Sequence, residues 1–421
     1  MSSIRIADTR DRFIRDGRPW FYLADTAWSA FTSATLEEWE AYLDYRRLQG
    51  FNALQIDILS QWDRSESTYN IHPFRVRDDG TYDFHEINHE YFQRARQMME
   101  MAVARGFVPA LVVLWCNYVQ GTWANKRKPQ DRIPFELVKP YVEHVVDVFQ
   151  RFDPIYVVSG DTDFNEESIP YYRTALEVID ARAPEALTTL HLSPPTDWPA
   201  EFVDSPRLDF YMYQSGHSKD SDNPYRLAEK FRRLPVKRPI VNGEPPYEGH
   251  GHGHRYGRFD AFDVRRAIWQ SLLSGAKAGV TYGAHGVWSW HRKGMHFPSA
   301  AFSSWPFEWD TALRFPGAWD AAFAKSVFET HDLFDLEPMQ EALVNENPEI
   351  RVAAAPDQST VAIYLPYSTD VVLNIDLSSH EWRLITLSDR RVAVPAVEAT
   401  PGGSRIRMHP FNDDVLLLGQ R

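Results

Sequence analysis

Runs of apolar residues that end in polar side chains alternate with helical patterns from residue 19 to about residue 330. Eight runs are typical of buried strands, and they cover residues 19–24, 51–56, 107–114, 154–158, 187–190, 208–212, 239–241 and 279–282. Helical patterns separate most of them, at residues 35–49, 88–105, 134–151, 166–183, 260–278 and 316–331. The connection between the fifth and sixth runs is short and shows little helical pattern. Eight strand–helix repeats predict an α/β fold of the (β/α)8 TIM barrel type rather than an open doubly wound sheet.

The pattern changes from about Pro338 to short alternating or apolar runs. Turn residues separate these runs, as in Pro401-Gly402-Gly403. Such a segment is typical of a small antiparallel β-sandwich. We therefore predict two domains, a barrel over residues 1–335 and a C-terminal β-sandwich over residues 336–421.

The charge and cysteine content exclude several classes of protein. The chain has 58 Asp and Glu against 45 Lys and Arg, a formal net charge of −13, which repels nucleic acids and anionic membranes, so neither is predicted as a partner. The single cysteine, Cys116, can form neither an intramolecular disulfide nor a thiolate metal cluster. Charges near the N-terminus leave no apolar core for a signal peptide. We predict a cytoplasmic protein, and the sequence leaves open whether it is a homo-oligomer.

Catalytic groups of a TIM barrel lie at the C-terminal ends of its strands. The polar residues predicted there are Asp25, Asp57, Asn117, Asp161, His191, Tyr213, Gln214, Glu244 and His285. Asp161 and Glu244 differ from the others because each follows a glycine at the end of a buried strand, in Ser159-Gly160-Asp161 and Asn242-Gly243-Glu244. The strand count places the two carboxyl groups on the fourth and seventh strands.

Two carboxyl groups across a cleft are what glycosidic bond cleavage requires, one as a proton donor and one as an ionised group beside the anomeric carbon. Burial and a like charge can keep one protonated, while hydrogen-bond donors keep the other ionised. We predict that Tyr213, on the neighbouring strand, donates such a hydrogen bond to Glu244. Two alternatives stay open. Asp161 and Glu244 could have a structural role, because strand-end carboxylates also cap helices or pair with Arg. Alternatively, Asp163 could be the acid in place of Asp161.

Several ordered motifs resemble those of the apiosidase-like glycoside hydrolases, barrel enzymes of clan A close to glycoside hydrolase family 140. They lie at residues 17–28, 35–38, 49–52, 159–161, 242–248, 261–267 and 281–288. The resemblance implies a retaining glycosidase with Asp161 as acid/base, Glu244 as nucleophile and a pentosyl or apiosyl-type sugar as substrate. One departure is Ser159, which stands where the family's Gly-Gly-Asp element begins with glycine.

Further residues are candidates for holding a sugar. Aromatic rings suit sugar faces as well as cores, and the stacking candidates are Trp28, Trp62, Trp115, Trp288 and Trp290. Trp288 and Trp290 alternate on a strand-like run, which predicts that both point the same way. Asp25 and Asp57 are expected to bind sugar hydroxyls, although Asp25 could instead cap the following segment.

The histidine-rich loop at residues 250–254 is a candidate metal site, because histidine is a common metal ligand. It lacks, however, the helical spacing and the cysteine partners of strong metal-binding motifs. We predict no metal and no cofactor, and a loop that lines the site. The hypothesis is therefore an exo-acting retaining glycosidase that cleaves a small glycoside or oligosaccharide. Its alternatives are a catalytically inactive carbohydrate-binding barrel and a metal-dependent hydrolase that uses His250–His254.

Overall fold

The computed structural model describes residues 3–194, 196–408 and 413–421, and its central feature is a parallel barrel. The barrel strands are Tyr22–Thr26, Ala53–Asp57, Val108–Trp115, Ile155–Gly160, Thr188–Thr189 with His191–Leu192, Tyr211–Gln214, Ile240–Glu244 and Gly279–Tyr282. The first strand pairs with both the second and the eighth. The fifth strand is broken at Leu190, so that its first half pairs with strand four and its second half with strand six. The predicted (β/α)8 barrel is confirmed.

Helices cover the outside of the barrel and follow the predicted order. The longer ones are Leu36–Gln49, His89–Ala104, Phe135–Phe149, Ile169–Arg182, Asn223–Arg232, Ala261–Leu272 and Gly317–Thr330. Thr35 and Glu38 form the expected capping box, in which each side chain accepts a hydrogen bond from the other's backbone N–H. The connection between strands five and six contains one short helix, Ala200–Val203. The sequence pattern missed Asn223–Arg232, which lies between strands six and seven.

Short elements complete the barrel and its loops. Small antiparallel sheets form from Arg5–Ile6, Phe13–Arg15 and Arg18–Trp20, from Phe74–Val76 and Tyr82–Ile87, and from Gly251–His252 and Arg255–Arg258. Short helices lie at Ala30–Ser33, Trp123–Arg127, Ala300–Ser303 and Trp309–Ala312. Within the described ranges, no helix has both the length and the apolar character needed to cross a membrane.

The C-terminal segment forms two antiparallel sheets, as predicted. The larger sheet has the strands Glu337–Pro338, Arg351–Ala354, Thr360–Leu365, Glu381–Thr386, Val392–Ala393 and Val415–Gln420, and the smaller has Val371–Leu373, Ala396–Thr400 and Gly403–Arg407. Alternate residues of a strand face opposite sides of its sheet. Ile363 and Leu417 pack in the core between the sheets, whereas Tyr364 and Leu416 belong to the core of the barrel. The sandwich therefore packs directly on the barrel.

Candidate active site

A cavity of about 770 Å³ opens at the C-terminal ends of the barrel strands. Seven of the residues predicted to form the site line it, as does the alternative acid Asp163; the seven are Trp28, Trp62, Trp115, Asp161, Gln214, Glu244 and Trp288. Its wall also contains residues that the sequence analysis did not select, among them Gln61, Asp63, Trp123, Arg127, Ser193, His217, Tyr247, Ser299 and Phe302. The site therefore lies where the barrel fold predicts it.

Asp161 is held by its backbone rather than by its carboxyl group. A Cβ atom at Gly160 would lie 2.1 Å from the Trp115 ring, so this position requires glycine. Asp161 itself has a left-handed φ of 45°. Its N–H donates to His191 Nδ1 at 3.2 Å, and its carbonyl accepts from Trp123 Nε1 at 2.7 Å. These contacts stabilise an uncommon conformation and aim the side chain into the cavity.

The environment of the Asp161 carboxyl favours its protonated form. None of the described residues donates a hydrogen bond to its oxygens. Burial raises the pKa of Asp161 well above its ordinary value, and the carboxylates of Glu244, Asp63 and Asp163 raise it further. Asp163 has a different task, because its Oδ1 accepts the backbone N–H of Trp123 at 2.7 Å, at the N-terminus of the short helix Trp123–Arg127. The hydrogen bonding of the Asp163 carboxyl thus differs from that of Asp161, whose oxygens accept no hydrogen bond from the described residues.

Glu244 is a buried carboxylate surrounded by donors. Its Oε1 accepts from His217 Nε2 at 2.9 Å, and its Oε2 lies 3.4 Å from His191 Nε2. Burial raises the pKa of Glu244 above its ordinary value, and His191 and a hydrogen bond from the Tyr247 hydroxyl offset only part of that rise. Because His191 Nδ1 accepts the Asp161 N–H, the neutral ring carries its proton on Nε2, facing Glu244. These donors favour the ionised form of Glu244.

Aromatic residues fix these donors in place. Trp28 Nε1 donates to the Tyr247 hydroxyl at 2.8 Å, and the Trp28 ring stacks on His191 with centroids 6.1 Å apart. Trp288 lines the cavity, and its Nε1 donates to His285 Nδ1 at 3.1 Å. His191 and His285 are therefore buried supports of the site rather than parts of its lining.

Three predicted site residues do not line the cavity because their side chains bond elsewhere. Asp25 is fully buried in an ion pair, with its Oδ2 2.7 Å from Arg46 Nε. Asn117 Nδ2 donates to Asp131 Oδ2 at 2.9 Å. The Tyr213 hydroxyl donates to the Pro224 carbonyl at 2.8 Å, on the outside of the barrel. The expected hydrogen bond from Tyr213 to Glu244 is thus wrong, and Tyr247 supplies it instead.

Trp288 and Trp290 do not share a face. Residues 285–290 form turns rather than a strand, and Trp290 has a left-handed φ of 48°. Trp290 is therefore directed away from the cavity, where its Nε1 donates to Glu38 and its ring stacks on Trp309 at 5.1 Å. The prediction that both rings point the same way is wrong, since alternation of sides holds only in extended backbone.

Asp57 and Asp63 add two carboxyl groups to the region. Asp57 is buried and does not line the cavity, and neither of its oxygens has a hydrogen-bond partner among the described residues. Burial, followed by Glu244 and Asp63, raises its pKa well above the ordinary value. Asp63 does line the cavity and accepts from Ser299 Oγ at 3.2 Å. Burial raises the pKa of Asp63 to about 6.

The histidine-rich loop lines the cavity through His250 and His254. His250 Nδ1 donates to the Gly251 carbonyl at 2.6 Å, and its ring stacks on His217 with centroids 4.4 Å apart. Among the residues that the structure describes, no three His, Cys, Asp or Glu side chains come together as metal ligands. Of the functional residues that the sequence analysis missed, Tyr247 had a signal, because it lies within the recognised motif at residues 242–248.

Comparison with known proteins decides the family. A family model described as "Apiosidase-like, catalytic domain" matches residues 8–335. The chain belongs to the apiosidase-like family and is a glycosidase. The comparison with curated proteins gives no match.

Solved structures agree with the fold of this apiosidase-like glycosidase. A structure titled "Glycoside hydrolase" has a TM-score of 0.81 and 20% identity, covering 99% of this chain and 97% of that chain. A glycoside hydrolase family 5 protein from Bacteroides vulgatus ATCC 8482 has a TM-score of 0.82 and 18% identity, covering 99% and 92%. A putative glycoside hydrolase from the same organism has a TM-score of 0.71 and 13% identity, covering 100% and 82%. At these identities, the similarity supports the fold alone.

Proposed function

We propose that this protein is a retaining exo-glycosidase that removes a terminal pentosyl or apiosyl-type sugar from a small glycoside or oligosaccharide. The observation that carries the proposal is the contrast between two carboxyl groups of one cavity. Among the described residues, none donates a hydrogen bond to the Asp161 carboxyl, whereas His217 and Tyr247 donate to Glu244 and His191 Nε2 lies 3.4 Å from it. A neutral acid and an ionised carboxylate are the pair that glycoside cleavage needs.

The proposed reaction has two steps. Asp161 gives its proton to the departing glycosidic oxygen while a Glu244 oxygen bonds to the anomeric carbon, which yields a glycosyl-enzyme ester and a free alcohol. Asp161, now ionised, then takes a proton from water as the water oxygen attacks the same carbon and Glu244 leaves. The contacts from His191 and Tyr247 offset part of the rise in pKa that burial causes at Glu244, and so support an ionised carboxylate that can act as nucleophile and leaving group.

The shape of the cavity supports removal of a single terminal sugar. Near Glu244 the wall contains the buried aromatic residues Trp28, Tyr247 and Trp288. A sugar whose anomeric carbon meets Glu244 would therefore pack against buried aromatic side chains. The preference for a pentosyl or apiosyl-type sugar rests on membership of the apiosidase-like family.

The first test is hydrolysis of aryl α- and β-glycosides of apiose, arabinose, xylose, galactose and glucose. We expect one sugar to be released by the wild type, with kcat reduced about 10²- to 10⁴-fold in Asp161→Asn and by at least as much in Glu244→Gln. Asp310→Asn, a change at an exposed residue, is the matched control and should keep wild-type activity. A folded Glu244→Gln enzyme with wild-type turnover would contradict the assignment.

Retention is tested with Asp161→Ala and an activated aryl glycoside. A good leaving group departs without protonation, so the glycosyl-enzyme should accumulate and azide should restore turnover as a glycosyl azide of retained configuration. The anomer first formed by the wild type, followed by NMR, gives an independent readout. A first product of inverted configuration would exclude double displacement and leave the glycosidase assignment intact.

A further inference from the structure

The tryptophans that line the cavity differ in exposure. Trp28 and Trp288 are buried, whereas the rim near Asp161 carries the half-buried rings of Trp62 and Trp123. Both rings line the cavity. In the proposed reaction the departing group lies beside the acid, because the acid protonates the oxygen that leaves. The half-exposed rim is therefore on the side of the departing group.

The two indoles form a fixed aromatic corner. The centroids of Trp62 and Trp123 lie 6.3 Å apart, with an angle of 81° between the ring planes. Trp123 is anchored at both ends, because its indole N–H donates to the Asp161 carbonyl and its backbone N–H to Asp163. The Arg127 guanidinium lies 5.2 Å from the centre of the Trp123 ring. The corner is thus tied to the same residue whose carboxyl would protonate the departing oxygen.

We propose that Trp62 and Trp123 form a leaving-group subsite that binds a flat ring. This inference rests on the proposed function, since it takes Asp161 as the acid. The ligand chemistry is a planar apolar face with polar edges, which an aryl group or the apolar face of a pyranose provides. A large apolar side chain that is half-exposed inside a cavity still has surface to bury, and a bound ring buries it.

The experiment compares three substrates that share the released sugar and differ in the departing group. They are an aryl glycoside, a disaccharide and a glycosyl fluoride, whose leaving group has no ring to stack. Trp62→Ala should lower kcat/KM about three- to tenfold for the ring-bearing substrates and leave the fluoride unchanged. Trp62→Phe should retain most of the wild-type value. Trp305→Ala removes a tryptophan that is 55% exposed and does not line the cavity, and it should change none of the three.

Each outcome has a distinct meaning. A loss for the aryl glycoside alone identifies an aromatic leaving group, a loss for the disaccharide alone identifies a sugar, and both losses together identify a subsite for either ring. Equal losses for all three substrates, or none, would overturn the inference, and melting temperatures would show whether Trp62→Ala is folded. Hydrolysis of the fluoride by the wild type but not by Glu244→Gln would uphold the proposed function even then.

Discussion

At the scale of single residues, the side of a strand on which a side chain lies decides its role. Tyr213 and Gln214 are neighbours at the end of the sixth barrel strand, and both were predicted to form the site. Gln214 lines the cavity, whereas the Tyr213 hydroxyl bonds outside the barrel to Pro224. Neighbouring residues on a strand point to opposite faces, and an error of one residue in the predicted register reverses the assignment. The sequence can therefore place a strand end more reliably than the direction of its last side chains.

The sequence predicted that Asp161 and Glu244 lie at the site despite this limit, because each follows a glycine. At both glycines a neighbouring side chain lies too close to the backbone for a Cβ atom. A Cβ atom at Gly243 would lie 2.4 Å from Met212 Cγ, much as one at Gly160 would meet Trp115. Asp63 does not follow a glycine at a strand end. It lies in a loop beyond the second strand, and only the fold brings it into the cavity.

Asp63 should contribute, after burial and Glu244, to the alkaline limit of activity. Its carboxylate raises the pKa of Asp161, and Asp161 must be protonated to act as the acid, so activity falls as pH rises through that pKa. Asp63→Asn removes the like charge, lowers the pKa of Asp161 and should move the alkaline limb of kcat/KM down by about half a pH unit or more. The pH–rate profile measures this. An unmoved or upward-shifted limb in Asp63→Asn, with Asp310→Asn again as control, would refute the role.

At the scale of elements, each of the eight predicted strands overlaps an observed barrel strand, with bounds that differ by up to three residues, because most of these strands are buried and begin with apolar residues. The fifth strand was placed at residues 187–190, but it is split at Leu190 and continues to Leu192. Ser159 spans the break, since its Oγ accepts the His191 N–H at 3.0 Å and donates to the His191 carbonyl at 3.1 Å. The pattern of apolar residues in the sequence cannot predict that a serine hydroxyl replaces backbone hydrogen bonds of the sheet.

The bridge from Ser159 should matter for activity because His191 contacts Glu244 and the backbone of Asp161. Ser159→Ala leaves the buried N–H of His191 without a partner, which should reduce the free energy of unfolding by about 1–3 kcal/mol. We also expect kcat to fall about tenfold with little change in KM, since His191 positions the reacting carboxylates. Urea unfolding and steady-state kinetics check both effects.

Ser274→Ala is the matched control for Ser159→Ala. Ser274 is also buried, but its hydroxyl has no hydrogen-bond partner among the described residues. The control should change neither kcat nor stability appreciably. Equal effects of the two substitutions would mean that the bridge at strand five has no specific role.

At the scale of the whole molecule, the sequence predicted a barrel and a sandwich but not how they meet. In the strand Thr360–Leu365, Ile363 faces the smaller sheet and Tyr364 faces the barrel, so both sides are buried. Apolar residues on both faces of a strand indicate that both faces of its sheet are buried. They do not indicate which element packs on each face. The junction also contains the buried Arg265, which forms ion pairs with Asp414 of the sandwich at 2.8 Å and with Asp320 at 3.0 Å.

Removal of Arg265 should weaken the junction in a pH-dependent way. Arg265→Ala leaves the carboxylate of Asp414 buried without this cation, which costs about 3–5 kcal/mol when Asp414 is ionised, whereas Asp320 keeps Arg390 at 3.6 Å. With Arg265 present, burial raises the pKa of Asp414 to about 7, so the wild-type carboxyl is largely ionised at pH 8 and largely protonated at pH 5. Arg265 lowers this pKa, so its removal raises the pKa of Asp414 further and disfavours the folded variant at pH 8 but not at pH 5. The loss in free energy of unfolding should therefore be larger at pH 8 than at pH 5.

Urea unfolding of the wild type and Arg265→Ala at both pH values measures this difference. Arg407→Ala is the control, because Arg407 pairs with Asp370 and Glu398 on the exposed surface, and its removal should leave stability nearly unchanged at either pH. A loss that is the same at pH 5 and pH 8 would show that Arg265 stabilises the junction by packing rather than by charge. The predicted pH dependence requires the charge, because protonation of Asp414 is the step that removes the unpaired carboxylate.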